Sequence, residues 1–430
     1  MAVRLGAALG ASLGQGASVV TSRDASDLSR LLRRALFSGI LAAGVDIADL
    51  GAMPVPVVRY GLSQGEYSAG IYVRHNPADP RLIDFILFDG SGQDMPNANL
   101  KKIERNYFGE DFERASLDEI GHLKYPQGVL LNYRQDFLAE IDCDLIKQAS
   151  FKIVVDHSAG PSSLIFPDLF SHLGVNVTEL NAGLNPRKFT TAQLDRTQAI
   201  VQLAAIVTSI KADFGVVYNS ASEKLTMVDE TGRPIDDQVL LLIVTDLFLQ
   251  VHKPEAIAVP VVASMGIEQI AQEHGVKVIR VASEHRAMME TRKSGEVSFV
   301  GGTRGGFIFP GFQMGADALF ATVNILELLA STRKSLGSLR QKHNHFNRGQ
   351  ISIPCPWARK GTVMRKLITG SDGKNRQLID GIRIIEDDGC VLVAPDKQKA
   401  AFNVYAESES DDRTRELISQ YSALVEESQS

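Results

Sequence analysis

The chain has 430 residues, of which 44% are apolar and 22% charged, and its net charge is −6. This length predicts roughly two to four domains, and the composition is that of an ordinary globular protein. No clustered basic face is present, so we predict no nucleic-acid partner. The longest apolar run, residues 239–251, is interrupted by Asp246 and is too short for a bilayer crossing, so we predict no membrane partner.

The three cysteines, Cys143, Cys355 and Cys390, are far apart and odd in number. They form neither a metal-binding spacing nor a disulfide framework, which favours a reducing compartment. We therefore predict a cytoplasmic location.

The first 13 residues allow two interpretations. One basic residue followed by small apolar residues could form a signal peptide. However, glycine is frequent there, and Val3, Leu5, Leu9 and Leu13 fall at helical spacing. We favour an ordinary amphipathic helix.

Apolar periodicity predicts strands and helices in alternation over the first three-quarters of the chain. Strands are predicted at 17–22, 68–73, 82–88, 151–156, 175–180, 214–218, 256–263 and 276–281. Helices are predicted at 26–43, 97–108, 162–173, 193–210, 237–252, 266–274 and 315–332. This alternation is typical of α/β layers around largely parallel sheets.

The last part of the chain has a different pattern. A polar, linker-like break is predicted at 344–349, followed by a strand at 351–355 and a helix at 360–369. Three further strands are predicted at 382–385, 390–393 and 402–406, and a terminal helix at 413–426. Clustered strands bracketed by helices indicate a smaller α+β domain.

Four segments in or next to predicted strands are informative when they are considered together. They read GIYVRHNP at 70–77, ADFGVVYNSASEKLTMVDE at 212–230, FVGGTRGGFIFP at 299–310 and CVLVAPDKQKAAFNVYAE at 390–407. They resemble, in order, the nucleophile, metal, sugar and phosphate loops of the α-D-phosphohexomutase superfamily, which contains phosphoglucomutases and phosphomannomutases. The resemblance is collinear from residue 1 to the C-terminus.

The resemblance implies a four-domain α/β architecture. It consists of three α/β domains with mixed sheets, at 1–130, 131–252 and 253–343, and a smaller C-terminal α+β domain at 344–430. These ranges carry the equivalents of the nucleophile, metal, sugar and phosphate loops, respectively.

In such mutases a serine carries the phosphoryl group, and Arg74 stands at that position. A guanidinium is a permanently charged donor and no nucleophile. Arg74 could contact an anion, or it could be solvated or ion-paired, which we favour. His75 and Asn76 match the resembled loop, and we interpret His75 as part of the turn before Pro77.

The metal loop would supply three aspartates to one Mg²⁺. Here the corresponding residues are Asn219, Ala221 and Glu223. An amide, a methyl and one longer carboxylate do not form the oxygen cage that this ion needs. We therefore predict that the Mg²⁺ site is lost and that no cofactor is bound.

The other two loops also depart from the resembled pattern. The sugar loop has Thr303, Gly305 and Phe307 in place of Glu, Ser and His. In the phosphate loop the replacements are Ala394, Asp396, Lys397, Gln398 and Asn403. The ligand-binding candidates that remain in and beside these loops are the basic residues Arg74, Lys224 and Arg304.

These joint replacements lead to the hypothesis of a catalytically disabled module, structural or regulatory, attached to a sugar nucleotidyltransferase. Residues 351–365 resemble the opening of the last domain in mannose-1-phosphate guanylyltransferase fusions, and a homo-oligomer is a further candidate assembly. Two alternatives stay open. One is a sensor of sugar phosphates or nucleotides, and the other is a divergent mutase with an acceptor elsewhere. Ser91 and Ser222 lie near the relevant loops but not at the nucleophile position.

Overall fold

The computed structural model describes residues 1–76, 79, 81–110, 112, 114–189, 196–291 and 295–429. The chain divides into two compact units: Met1–Ile235 with Arg304–Gly337, and Asp236–Thr303 with Ser338–Ser430. The predicted α/β fold with mixed sheets is confirmed, while the four domain ranges stay a prediction. Among the described residues, no helix has both the length and the apolar character needed to cross a bilayer.

The first unit begins with a five-stranded sheet in the order β4-β3-β1-β2-β5. Its strands are β1 (Ser18–Arg23), β2 (Asp46–Ala52), β3 (Ala69–His75), β4 (Ile83–Asp89) and β5 (Leu123–Lys124). Its helices are α1 (Ala2–Leu13), α2 (Asp27–Ala42), α3 (Val55–Gln64) and α4 (Asn97–Gly109). β1 pairs in parallel with β2 and β3, and β4 runs antiparallel to β3. The strand order reverses around β1, and α/β sheets bind ligands at the carboxyl ends of strands at such a point.

The N-terminal segment forms the predicted amphipathic helix. Ala8 and Leu9 of α1 are completely buried in the core of the first sheet. α1 packs so closely on α2 that a Cβ atom at Gly6 would collide with the backbone of Leu36.

The second sheet of this unit has the order β7-β6-β8-β9. Its strands are β6 (Lys152–Asp156), β7 (Asn176–Leu180), β8 (Phe214–Tyr218) and β9 (Leu225–Asp229), and its helices are α5 (Val129–Ala139), α6 (Cys143–Ala149), α7 (Phe166–His172) and α8 (Arg196–Ile210). β6 is parallel to β7 and β8, whereas β8 and β9 form an antiparallel hairpin. The turn of this hairpin is the segment that resembles the metal loop.

Two predicted helices differ from those observed in this part. The helix predicted at 162–173 is a 3₁₀ turn, Pro161–Leu164, followed by α7. Pro167 has no backbone N–H to continue a helix from the preceding turn, so it stands at the start of a new one. The helix predicted from 193 is observed from Arg196, and residues 193–195 lie outside the described residues.

The first unit also contains residues 304–337, with the short strand β13 (Phe307–Ile308) and α12 (Ala318–Thr332). We predicted this helix from residue 315, but it begins at Ala318. Asp317 caps it, since Asp317 Oδ1 accepts from the backbone N–H groups of Leu319 and Phe320 over 2.9 and 3.0 Å.

The second unit contains one parallel and one antiparallel sheet. In the parallel sheet β10 (Ala256–Pro260) pairs with β11 (Lys277–Val281) and β12 (Val297–Gly301). The antiparallel sheet has the order β14-β18-β17-β16-β15, with β14 (Asn347–Pro354), β15 (Arg376–Gln377), β16 (Ile382–Glu386), β17 (Gly389–Pro395) and β18 (Ala401–Ser408). The remaining helices are α9 (Asp237–His252), α10 (Gly266–His274), α11 (His285–Met289), α13 (Leu336–His343), α14 (Trp357–Gly370) and α15 (Asp411–Ser428).

The predicted linker-like break at 344–349 is partly wrong. β14 already begins at Asn347, which pairs with Ser408 of β18. This strand lies at the edge of its sheet and its first six residues are half-buried or exposed, so it needs no continuous apolar sequence there. The strand was therefore not recognisable from its polar first half.

Candidate active site

Arg74 lies near the end of β3, where the resemblance places the phosphoryl-carrying serine. The β3–β4 ladder sets it opposite Asp84, and Arg74 Nε donates to Asp84 Oδ2 over 3.4 Å. Arg74 Nη1 donates to Glu223 Oε2 over 2.9 Å, and the side chain is only 15% exposed. Burial alone would lower the pKa of Arg74, but the charges of Glu223 and Asp84 more than offset it and raise the pKa. Arg74 is therefore an ion-paired guanidinium, and its contact with an anionic ligand stays a prediction.

Glu223 belongs to the turn between β8 and β9. Its carboxylate accepts from Arg59 Nη2 over 3.3 Å in addition to Arg74. Asn219 Oδ1 accepts from the backbone N–H groups of Glu223 and Lys224, both over 2.9 Å. The side-chain oxygen of Asn219 thus stabilises the turn by accepting two of its backbone hydrogen bonds.

These residues fit Mg²⁺ poorly. Ala221 is completely buried and offers a methyl group, Asn219 is used by the turn, and two guanidiniums hold Glu223. Mg²⁺ needs several oxygen ligands in near-octahedral geometry. Among the described residues, no three His, Cys, Asp or Glu side chains are grouped as a metal site requires. The loss of the metal site stays a prediction.

Sequence reasoning missed Arg59, which organises this cluster from α3. Its side chain is 3% exposed, and its Nη1 donates to Gly92 O over 2.8 Å. Its Nη2 donates to Asp94 Oδ1 over 2.7 Å, and its guanidinium carbon lies 4.4 Å from the centre of the Phe88 ring. A lone arginine within the apolar run V-P-V-V-R-Y-G-L was the available signal, because a buried arginine requires partners.

Residues 304–310 of the segment that resembles the sugar loop belong to the first unit and lie beside the same turn. The backbone N–H of Leu225 donates to Gly305 O over 2.9 Å. Gly305 has φ +70°, a conformation that favours glycine. Phe307 is completely buried, so it is a core residue and cannot stack on a sugar. Arg304 is exposed and Lys224 half-buried, and the Leu225–Gly305 bond brings their segments together.

His75 is the last residue of β3 and Asn76 follows it, while Pro77 lies outside the described residues, so our interpretation of His75 as part of a turn stays a prediction. The backbone N–H of His75 donates to Asp24 Oδ2 over 2.7 Å, and the ring is 6% exposed. Asn76 Nδ2 donates to Asp84 Oδ1 over 2.8 Å, while its Oδ1 accepts from the N–H of Asp79 over 3.0 Å.

Neither of the two serines considered as alternative acceptors stands in the nucleophile position. Ser91 follows Asp89, which pairs with Ala69 at the opposite end of the ladder from Arg74. Its hydroxyl donates to Asp89 Oδ1 over 2.6 Å. Ser222 is 1% exposed, so a substrate cannot reach it without rearrangement.

The segment that resembles the phosphate loop belongs to the second unit. Asp396 Oδ1 accepts from the N–H groups of Gln398 and Lys399 over 2.8 and 2.9 Å, and Asn403 Nδ2 donates to its Oδ2 over 3.0 Å. These hydrogen bonds lower the pKa of Asp396 to about 2, and the bond from the backbone N–H of Gln398 contributes most. Backbone N–H groups of the kind that form an anion nest thus already hold an internal carboxylate. Lys397 is ion-paired with Glu284 over 2.6 Å.

Comparison with known proteins decides the family. Residues 1–114, 132–232 and 236–346 match the models of the alpha/beta/alpha domains I, II and III of phosphoglucomutase/phosphomannomutase. The chain belongs to the phosphoglucomutase/phosphomannomutase superfamily.

Relatives within this superfamily match nearly the whole chain. The chain is 28% identical to a protein of Pyrococcus abyssi named probable phosphoglucosamine mutase, over 99% of this chain and 94% of the relative. It is 27% identical to the phosphoglucomutase/phosphomannomutase of Thermococcus kodakarensis, over 95% and 90%. Among solved structures, a phosphoglucomutase/phosphomannomutase family protein of Burkholderia thailandensis superimposes with a TM-score of 0.83 at 21% identity, covering 99% of this chain and 93% of that one. This last likeness shows the fold.

These relatives correct two predictions about this superfamily member. The hypothesis of a catalytically disabled module is wrong, because proteins named as mutases match the chain over nearly its full length. The predicted nucleotidyltransferase partner is also wrong. The relatives are mutases covered to 90% and 94% of their own length, and the matching domain models are mutase domains. We had inferred the loss of activity from the altered loops and the partner from the resemblance of residues 351–365 to fusion proteins. Altered loops change the site without changing the family.

Proposed function

We propose that this chain is a divergent hexose-phosphate mutase, which moves a phosphoryl group between the 6-oxygen and the 1-oxygen of a hexose. The observation that carries the proposal is the near full-length match to mutases, two of which are named for glucosamine, glucose and mannose phosphates. The first unit supports it, since Arg74, Glu223 and Gly305, which come from segments resembling three of the four mutase loops, lie at or next to the β8–β9 turn. Substrates of this class carry a dianionic phosphate, which suits the basic residues Arg74, Lys224 and Arg304.

The phosphoryl group has no covalent carrier at position 74. We therefore place the transfer directly between a bound hexose 1,6-bisphosphate and a hexose 6-phosphate. The bond from phosphorus to the 6-oxygen of the bisphosphate breaks, and a bond to the 1-oxygen of the monophosphate forms. The proton of the attacking hydroxyl passes to the departing oxygen. The bisphosphate thereby becomes a 1-phosphate, and the acceptor becomes the new bisphosphate.

Charge in this reaction is stabilised by guanidinium and ammonium groups. Phosphoryl transfer places negative charge on the transferred oxygens, and catalysis depends chiefly on positioning and on electrostatic stabilisation. Arg74, held by Glu223 and Asp84, is a fixed donor for such oxygens, and Lys224 and Arg304 add positive charge from the neighbouring segments. We infer that the reaction proceeds without a divalent cation.

Intact-mass analysis tests the route. The protein is incubated with glucose 1,6-bisphosphate, and the interconversion of glucose 6-phosphate and glucose 1-phosphate is followed in parallel. We expect turnover that depends on the bisphosphate, with no phosphorylated protein. Turnover with a phosphoprotein would overturn direct transfer only. The absence of turnover with glucose, glucosamine and mannose phosphates would overturn the proposed function.

We also infer a cytoplasmic location. The three cysteines are free, and burial raises the pKa of the Cys390 thiol to about 11, so it is mostly unreactive. Unpaired cysteines are typical of a reducing compartment.

A further inference from the structure

The first turn of α12 joins several segments of the first unit. The backbone N–H of Asp317 donates to Phe307 O over 3.0 Å, and that of Ala318 donates to Ser222 O over 3.1 Å. One turn later the Thr322 hydroxyl is hydrogen-bonded to the Tyr218 hydroxyl over 2.8 Å. This turn therefore holds the segment 304–309, which we call the sugar segment, and the β8–β9 turn 219–224 at the same time.

The carboxylate of Asp317 lies at the centre of this junction. It is 1% exposed and accepts four hydrogen bonds. Two come from the helix N–H groups described above and bind Oδ1. The other two bind Oδ2, from the Tyr133 hydroxyl over 2.7 Å and from Gln313 Nε2 over 2.5 Å. All four donors are neutral.

An aromatic layer packs around Tyr133, one of the two donors that bind Oδ2. The Phe312 ring stacks on Phe320 with centroids 4.5 Å apart, and it meets the Tyr133 ring at 5.5 Å. Phe137 of α5 lies 5.1 Å from Phe320. Tyr133 therefore reaches Asp317 from a rigid surface on α5, next to the chain that leads out of the sugar segment.

We propose that Asp317 is a positioning residue that fixes the sugar segment against the 219–224 turn and thereby shapes the hexose-binding face. It is buried and touches no substrate, so it acts through the backbone of Phe307 and Ser222. The inference about hexose binding rests on the proposed function, whereas the positioning itself does not.

Asp317→Ser is the decisive variant. Serine still caps α12 through its hydroxyl, but it lacks the second oxygen that Tyr133 and Gln313 bind. Because a lost hydrogen bond to a charged group corresponds to about a tenfold change in a local opening equilibrium, we expect amide exchange in 304–309 and 219–224 to be about tenfold faster. We expect KM for the hexose phosphate to rise by about tenfold while kcat changes by less than about threefold.

Asp236→Ser is the matched control. Asp236 caps α9 in the second unit through the same kind of bonds, from the N–H groups of Gln238 and Val239. Exchange in the sugar segment should stay unchanged in this variant. Asp317→Asn should restore most of the protection, because it keeps a capping oxygen and a second polar atom. Within the part of the chain that the structure describes, Gln313 Oε1 has no hydrogen-bond partner, so the Gln313 amide can turn to accept from that asparagine.

The outcomes separate the two proposals. Unchanged exchange in folded Asp317→Ser overturns the positioning role, whether or not the wild-type protein turns over substrate. Faster exchange with an inactive wild type supports the positioning role and overturns the proposed function. If Asp317→Ser does not fold, Tyr133→Phe removes one donor only and should speed exchange by about threefold. Unchanged exchange in that variant overturns the positioning role.

Discussion

Glu223 and Asp317 are two carboxylates of the same unit with different partners. The Glu223 side chain is 10% exposed and is bound by the guanidiniums of Arg59 and Arg74. Asp317 is 1% exposed, and its four donors among the described residues are all neutral. Burial raises the pKa of Asp317 to about 6, because four hydrogen bonds offset only part of the desolvation of its charge. Charged partners therefore hold the carboxylate at the candidate site, whereas hydrogen bonds from neutral groups hold the carboxylate at the first turn of α12.

The largest expected effect is the change with pH in the stability that Asp317 contributes. The folded-state pKa of Asp317 lies above its ordinary value of 3.8, so the folded protein binds this proton more tightly than the unfolded chain. Its contribution to the free energy of unfolding is therefore largest below pH 4 and is lost as the pH rises to about 6. The expected loss is about 3 kcal/mol.

Denaturant unfolding of wild type and Asp317→Asn between pH 4 and pH 7 measures this contribution. The free energy of unfolding of the wild type should fall relative to that of Asp317→Asn as the pH rises from 4 to 7, because the aspartate titrates and the asparagine does not. A difference that is constant with pH would contradict the role of burial at Asp317.

Glu223→Gln removes the negative charge at the centre of the ion-paired cluster. It leaves Arg59 and Arg74 without their shared carboxylate, although Asp94 and Asp84 still bind them. We expect a loss of about 2 kcal/mol in the free energy of unfolding, below the value for a fully buried pair because two carboxylates remain. The exposed pair of Arg30 and Asp27 gives the control, since Arg30→Ala should cost less than about 1 kcal/mol. Equal effects in the two variants would show that the cluster is no more than a surface pair.

Arg74→Lys tests the geometry of the same cluster. A lysine ammonium is a point charge and cannot span Glu223 and Asp84 as a planar guanidinium does. We expect a loss of about 1 kcal/mol in thermal or denaturant unfolding. No loss would mean that charge alone, without the planar geometry, holds Glu223.

Added Mg²⁺ should have the smallest effect. Because two guanidiniums occupy the carboxylate of Glu223, we expect millimolar Mg²⁺ to leave the melting temperature unchanged. A protein that binds an ion in the folded state is stabilised in proportion to the logarithm of ion concentration. A rise with that dependence, removed by Glu223→Gln, would show that the turn binds a metal after all.

The sequence predicted much of the fold because apolar periodicity reports which face of an element is buried. The helices 237–252 and 266–274 have the predicted bounds. β2, α3 and β9 were missed. The role of Arg59 was missed with α3, because its partners Gly92 and Glu223 are distant in the chain. Arg74 and Glu223 were each recognised as replacements, but their pairing required the geometry.

Asp317 shows a second limit. Its capping role could have been predicted, because Asp before an apolar helical run is a common N-cap. Its bond to Tyr133 could not, since that residue lies 184 positions away along the chain. Reasoning from the altered loops also led to a wrong function, because residues in loops are informative about chemistry only when their partners are known.

Phosphorus NMR in the presence of EDTA tests whether this chain is a metal-independent hexose-phosphate mutase. Glucosamine 6-phosphate is mixed with the protein and a trace of glucosamine 1,6-bisphosphate, and the same experiment is run with the glucose and mannose pairs. We predict that at least one pair reaches its 6-phosphate to 1-phosphate equilibrium from both directions, at the same rate with EDTA as with Mg²⁺. No interconversion of any pair, or interconversion that stops when EDTA removes the metal, would contradict it.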